Sequence, residues 1–123
     1  MSKKDFKQSD NKVLSIGISP DKRAEVVNAL SGFLATTYIL YMETLNYHWN
    51  VTGEHFVTLH TLFETQYDDL RLAGDEIAER IRALGAFCPG TYREFGKLSA
   101  IQEADTLPKN GLKMVEQLLK QHE

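Results

Sequence analysis

The sequence predicts an all-α bundle of two long helices, a short connector helix and a truncated third long helix. Apolar residues recur every three to four positions over long stretches, which is the period of a helix. Gly and Pro stand where those stretches stop. The 123 residues, 42% hydrophobic and 25% charged, have the composition of one globular domain. We expect a helical domain over residues 21–123, after a flexible, lysine-bearing tail over residues 1–20.

The first helix is predicted from near Asp21 to near Asn50. Gly17, Ser19 and Pro20 end the tail before it, and the turn signal Thr52-Gly53 follows it. One apolar stripe is expected to face the core. It consists of Val26, Val27, Leu30, Phe33, Leu34, Tyr38, Tyr41 and Leu45.

The second helix is predicted from Gly53 or Glu54 to Gly85, where the glycine would act as a C-cap. About thirty residues make about 45 Å of helix. The turn at Thr52-Gly53 would fold it back against the first helix as an antiparallel hairpin. Its own core stripe consists of Phe56, Leu59, Phe63, Leu70, Ile77, Ile81 and Leu84.

Connecting segments are predicted after the second helix. Pro89-Gly90 makes a turn, Thr91 can cap a short helix that reaches Gly96, and Ser99–Thr106 forms an irregular link.

A last helix is predicted from about Pro108 and runs to Glu123 without a stop signal. At about 22 Å it covers half of the second helix. We expect either that the chain is cut short or that another subunit supplies the missing cover. The residues expected to be buried are Leu112, Val115, Leu118 and Leu119.

Side chains that can bind metals form a palindrome in the second predicted helix. His60 and Glu64 lie at i, i+4 spacing, and Asp75 and Glu79 repeat that spacing further along. The set shares a stripe about 100° wide, but His60 and Glu79 are about 28 Å apart along the axis and cannot share an ion. An antiparallel second copy would place each pair opposite the other pair of its partner. The order of ligands therefore predicts a two-fold dimer with two equivalent metal sites.

His48 joins this set because the hairpin would bring it alongside His60. One subunit would then offer two imidazoles and the Glu64 carboxylate, and its partner two carboxylates. Nitrogen and hard oxygen ligands together suit iron, manganese or zinc. A single Glu, Asp or His on a helix is usually a solvated or structural residue, but the convergence of five donors under one fold-back and one two-fold operation favours metal binding.

Composition excludes several other classes of protein. Apolar runs are short and no charged-then-apolar leader is present, so we expect neither a membrane span nor a secretory signal, and a cytosolic location. The single cysteine, Cys88, lies in a Phe-Cys-Pro-Gly turn without an adjacent base, and we assign it no role.

Several sequence motifs, each at a fixed spacing from the next, resemble those of the Dps family of ferritin-like mini-ferritins. They are Asn46-Tyr47-His48-Trp49-Asn50-Val51-Thr52-Gly53, then Phe56, Leu59-His60 and Asp75-Glu76-Ile77-Ala78-Glu79-Arg80. The resemblance covers the chain from about residue 21 onward.

The resemblance implies a ferritin-like four-helix bundle and a ferroxidase centre at a dimer interface. The matching positions are His48, His60 and Glu64 from one subunit with Asp75 and Glu79 from the other. It also implies that Trp49 lies close to the iron, although simple packing explains Trp49 equally well. Many family members have Asp in place of Glu64, so reach and affinity could differ here.

The resemblance further implies that ferrous iron is oxidised, preferably by hydrogen peroxide, and that the ferric product is stored in a hollow dodecamer. Such chemistry would protect against oxidative damage. Zinc or manganese could compete for the site, and the sequence does not decide between peroxide and dioxygen.

The tail bears on DNA binding, which occurs in some family members only. Lys3, Lys4, Lys7 and Lys12 are offset by Asp5 and Asp10 in a chain of formal net charge −3. A symmetric shell would multiply the tails, so weak, salt-sensitive binding in the bacterial nucleoid is one expectation. An ordinary solvated terminus is the alternative.

Two rival functions come from other classes. In a DNA-compacting or structural helical oligomer, the histidines and carboxylates would only form salt bridges. A di-iron enzyme with its site inside one bundle would need Glu-x-x-His pairs. None occurs here, since Glu43 is followed at that distance by Asn46 and Glu76 by Glu79.

Overall fold

The computed structural model describes residues 17–103 and 106–122, and every regular element within these ranges is an α-helix. The predicted all-α fold is confirmed. Most of the predicted tail, residues 1–16, lies outside the described residues. The helices in chain order are α1 (Pro20–Asn50), α2 (Phe56–Ala83), α3 (Tyr92–Leu98) and α4 (Gly111–His122).

Helix α1 begins at a capped proline. The Ser19 hydroxyl accepts a hydrogen bond from the Lys22 backbone N–H at 3.2 Å, which satisfies one of the free donors of the first turn. Pro20 takes the first helical position, where its missing N–H costs nothing. The helix ends as predicted at Asn50, after which Val51 is extended.

Helix α2 begins at Phe56, two to three residues later than predicted, because Gly53 adopts a left-handed conformation (φ +101°) and His55 is not helical. Its end follows the predicted glycine cap. Gly85 has φ +87°, and its N–H donates to the Arg82 carbonyl. The N–H of Ala86 donates to the Ile81 carbonyl. These two hydrogen bonds form a Schellman motif, which satisfies carbonyls that the last turn would leave unpaired.

The two shorter helices also begin at side-chain caps. Thr91 accepts from the Glu94 backbone N–H and donates its hydroxyl to the Glu94 carboxylate, so its side chain caps the start of α3. Asn110 accepts from the Lys113 N–H, and α4 therefore starts at Gly111 rather than at Pro108 as predicted.

The core consists of two apolar clusters along the α1–α2 hairpin. The cluster near the turn joins α1 and α2 to α4, and the cluster at the other end joins them to α3. The buried members of the first are Leu40, Tyr47, Val51, Leu59, Phe63, Met114 and Leu118. Those of the second are Val27, Leu34, Ala35, Ile81, Ala86 and Phe95.

The predicted core stripes were too wide. In a single chain α4 packs through Gly111, Met114 and Leu118. Leu112 is one position beyond Gly111, about 100° around the helix, and points away from the core. The predicted core residues that are exposed are Val26, Phe33, Phe56, Leu112 and Leu119.

A close approach between α1 and α2 depends on one glycine. Gly74 is buried in α2, and a Cβ placed there would lie 2.7 Å from Cε2 of Tyr38 in α1. The Tyr38 ring is also stacked on Phe95 of α3, with ring centroids 5.1 Å apart. Gly74 therefore provides the hollow in which Tyr38 packs.

Within the described ranges, none of the helices is both long and apolar enough to cross a membrane.

Candidate metal centre

The turn at Thr52-Gly53 places His48, near the end of α1, beside His60, in the first turns of α2. Their rings are stacked, with centroids 3.7 Å apart and an interplanar angle of 20°. His48 is buried and His60 is half-buried. The two imidazoles of the predicted site therefore lie side by side within one chain.

Each imidazole is hydrogen-bonded to the backbone of the other residue. Nδ1 of His48 donates to the carbonyl oxygen of His60 at 2.7 Å, and Nδ1 of His60 donates to that of His48 at 2.8 Å. A carbonyl can only accept, so both Nδ1 atoms must carry the proton. In a neutral imidazole the lone pair is then on Nε2, the atom left to bind a metal. Such outer hydrogen bonds usually fix the tautomer and orientation of metal-binding histidines.

Two aromatic rings enclose the histidine pair. Phe56 stacks against His60 with centroids 5.0 Å apart, and Tyr67 meets His48 edge-on at 5.2 Å. Burial raises the pKa of Tyr67, and the nearby carboxylates of Glu64 and Asp68 raise it further. The phenol therefore stays neutral beside the site. The sequence pattern predicts Phe56 in the core and indicates no role for Tyr67, although both lie on the His60 face of α2 at helical spacing.

The predicted carboxylate ligands are placed differently from the imidazoles. Glu64, Asp75 and Glu79 are all exposed on α2. Along a straight helix, Asp75 is about 22 Å from His60. Within the described ranges, no group of three or more His, Cys, Asp or Glu side chains could hold a metal, so Glu64 does not complete a site with the imidazoles of its own chain. One chain offers a histidine pair at one end of α2 and an exposed carboxylate pair toward the other.

Trp49 is mostly exposed and lines a different cavity, together with Glu43 and Tyr47. Its predicted closeness to iron stays a prediction. The residues that line this cavity with Trp49 come from α1 and from the link after α3.

A buried polar pair near this site was missed from the sequence. The Tyr47 hydroxyl donates to Oε1 of Glu43 at 2.7 Å, and both side chains are buried. Burial raises the pKa of Tyr47, and the hydrogen bond to Glu43 and the charge of that carboxylate raise it further. The i, i+4 spacing of the two residues was the available signal.

Comparisons with known proteins concern the sequence and the fold of the chain. A family model described as a ferritin-like domain matches residues 27–123. A low temperature-induced protein from Nostoc is 36% identical over 110 residues, which cover 89% of this chain and 62% of that protein. DNA protection during starvation protein 2 from Bacillus anthracis is 37% identical over 99 residues, or 80% of this chain and 67% of that protein. The chain thus spans less than two thirds of the length of its Nostoc relative.

Solved structures give the same relationship. The crystal structure of a Dps protein from Vibrio cholerae O1, described as a member of a broad superfamily of ferritin-like diiron-carboxylate proteins, matches with a TM-score of 0.74. The two are 34% identical, and the match covers 88% of this chain and 72% of that one. On the fold, the motif spacings and these matches, the chain belongs to the Dps family of ferritin-like proteins.

Proposed function

We propose that the chain is a ferroxidase and iron-storage protein whose iron site is shared between two copies. His48, His60 and Glu64 of one copy would bind iron together with Asp75 and Glu79 of the other. The supporting observation is the histidine pair, in which both Nδ1 protons are used by backbone carbonyls and both Nε2 lone pairs remain for a metal. Because Asp75 and Glu79 lie far along α2 from His60, only another chain can bring this carboxylate pair to the two histidines.

The ligand set suits the oxidation of ferrous iron. Carboxylates favour the harder ferric ion and so lower the potential of the bound couple. With hydrogen peroxide as oxidant, two ferrous ions each lose one electron. The peroxide O–O bond breaks, two protons are taken up, and two waters leave. Removing peroxide and ferrous iron together limits hydroxyl-radical formation and would protect the cell. Zinc and manganese are candidate competitors for the same ligands.

Storage requires an assembly. We propose a two-fold dimer as the unit that forms the site and a dodecameric shell as the container, because the chain belongs to the Dps family. Size-exclusion chromatography with light scattering measures this directly. A species near twelve subunits would support storage, a dimer would limit the function to oxidation, and a monomer would contradict the shared site.

Stopped-flow mixing with ferrous iron and peroxide tests the chemistry. A variant with His60→Ala and Asp75→Ala should oxidise iron at about the uncatalysed rate, since each shared site loses a nitrogen and a carboxylate ligand. The matched control, His55→Ala with Glu76→Ala, removes an exposed histidine and an exposed carboxylate that lie outside the ligand set. It should keep the parent rate. Equal rates for the first variant and the parent would contradict the proposal.

The competing function, a structural or DNA-compacting oligomer without metal chemistry, makes a different prediction. Crystals soaked in iron would then show no anomalous scattering between neighbouring subunits at these residues.

A further inference from the structure

A cavity of about 140 Å³ lies between α1 and the link that follows α3. Helix α1 contributes residues from successive turns to its wall, and the link contributes Glu103 and Thr106. The described residues that line it include two carboxylates and no lysine, arginine or histidine. The described residues that line the cavity are Met42, Glu43, Asn46, Tyr47, Trp49, Glu103 and Thr106.

Glu43 is the unusual member of this wall, because it is a buried carboxylate that is only half satisfied. The residue is 4% exposed, and Oε1 accepts the Tyr47 hydroxyl. Within the described part of the chain, Oε2 is buried and has no hydrogen-bond partner. A buried polar atom without a partner costs free energy, about 1–3 kcal/mol and more when it is charged. Native proteins therefore rarely keep one unless a water, an ion or a functional role accounts for it.

The chemistry of the wall favours a cation as the missing partner of Oε2. Glu43 and Glu103 supply carboxylates, while Asn46 and Thr106 supply neutral oxygens. Hard divalent ions such as Mg²⁺ prefer oxygen, and they are commonly held by one or two carboxylates while keeping several waters. The volume is sufficient for an ion with waters, since one water needs only about 10–15 Å³ of such space.

This cavity is separate from the histidine pair. His48 follows Glu43 by five positions, which turns it about 140° around α1 and moves it about 7.5 Å along the axis. The two groups therefore lie on different sides of the helix. We propose that the cavity is a second cation site, in which Glu43 and Glu103 bind a hard divalent ion within a single chain.

Manganese is the probe for this site, because the free ion has an EPR signal that is lost on binding. The titration is made in the His60→Ala, Asp75→Ala background, so that the proposed iron site does not contribute. Trp49 is the only tryptophan and lines the cavity, so its fluorescence should be quenched as Mn²⁺ binds there. We expect one Mn²⁺ per chain, with quenching that saturates at the same concentration.

Glu43→Gln added to this background should weaken Mn²⁺ binding at least about tenfold and remove the quenching, because it replaces the buried carboxylate by an isosteric amide. Glu25→Gln, which changes an exposed carboxylate on the same helix, should leave both unchanged. Glu103→Gln alters the exposed rim of the cavity and should also weaken binding, which keeps the test decisive if Glu43→Gln does not fold. Two results would overturn the proposal in favour of water in the cavity. One is Mn²⁺ binding and quenching that neither cavity substitution changes. The other is the absence of bound Mn²⁺ in the background protein.

Discussion

The imidazoles of His48 and His60 each donate a hydrogen bond from Nδ1 to the backbone carbonyl of the other residue. The orientation of each ring therefore depends on the main chain that carries the other. Because the bonds link the end of α1 to the start of α2, they also close the hairpin at its turn. The two imidazoles are therefore oriented by the fold of one chain alone.

The first prediction concerns the tautomers of these rings. In metal-free protein labelled with ¹⁵N-histidine, His48 and His60 should show the coupling pattern of Nδ1–H imidazoles in long-range ¹H–¹⁵N spectra. The exposed His55 and His122 are internal controls and should show the mixture typical of solvated rings. An Nε2–H pattern at either His48 or His60 would contradict the reciprocal bonds.

The proposed shared site predicts complementation between two inactive variants. His60→Ala and Asp75→Ala should each abolish rapid iron oxidation, since every site loses one ligand. Mixed dimers formed by unfolding and refolding the two together contain one site with all ligands, because the Asp75→Ala chain supplies His60 and the His60→Ala chain supplies Asp75. About a quarter of the parent activity should return for random pairing into two-fold dimers. No recovery in verified mixed dimers would show that the ligands do not act across an interface.

Tyr47→Phe should destabilise the fold, because it removes the only described donor to a buried carboxylate. We expect a loss of about 1–3 kcal/mol in the free energy of unfolding by urea at neutral pH. Tyr92→Phe, at an exposed position, is the control and should have little effect.

The stability difference between Tyr47→Phe and the parent should also depend on pH. Folding raises the pKa of Tyr47 above its ordinary value, so the folded chain keeps a proton that the unfolded chain loses above about pH 10. The stabilisation is therefore complete below about pH 10 and declines above it. The two proteins should converge in stability at alkaline pH, and a gap that widened would contradict this assignment.

Gly74→Ala should lower stability although alanine is the better helix former by about 1 kcal/mol. The new methyl would meet the Tyr38 ring at 2.7 Å, and that ring is fixed by its stack on Phe95. Overpacking of this kind costs about 1–3 kcal/mol, so we expect a net loss in thermal unfolding. Gly96→Ala has open space around the added methyl and is the matched control. A rise in the unfolding temperature of Gly74→Ala would show that the rings can move aside.

Any binding of DNA by this chain is predicted to depend on the lysines of residues 1–12. Gel shifts with duplex DNA should show weak binding that disappears as salt is raised, because phosphate contacts release counterions. Deleting residues 1–12 should remove the shift while the oligomer stays intact by light scattering. Binding that survives the deletion would place the DNA contacts elsewhere on the surface.

Much of the fold could be predicted from local signals. Ser19 and Gly85 mark helix ends through their caps, and the turn at Gly53 brings the histidines together. These features depend on residues close in sequence, so periodicity and turn chemistry suffice to predict them.

Other features depend on which neighbour a helix face meets, and periodicity does not contain that information. Phe33 and Leu112 have the spacing of core residues but are exposed in one chain. Glu43 resembles a solvated residue in sequence and is buried. The proposed pairing of Asp75 with a histidine would involve two chains, and it depends on an interface that helix periodicity does not describe.

The hollow at Gly74 has a consequence for the histidine pair. Tyr38 and His48 are about 15 Å apart along α1, while their neighbours on α2, Gly74 and His60, are about 21 Å apart in the opposite chain direction. A tyrosine ring seated in a glycine notch prevents the two helices from sliding past each other by a turn, which would separate the imidazoles by about 5 Å. An apolar contact remote from the two imidazoles thus sets their alignment, and the proposed iron oxidation should be sensitive to a position that lies outside the proposed ligand set.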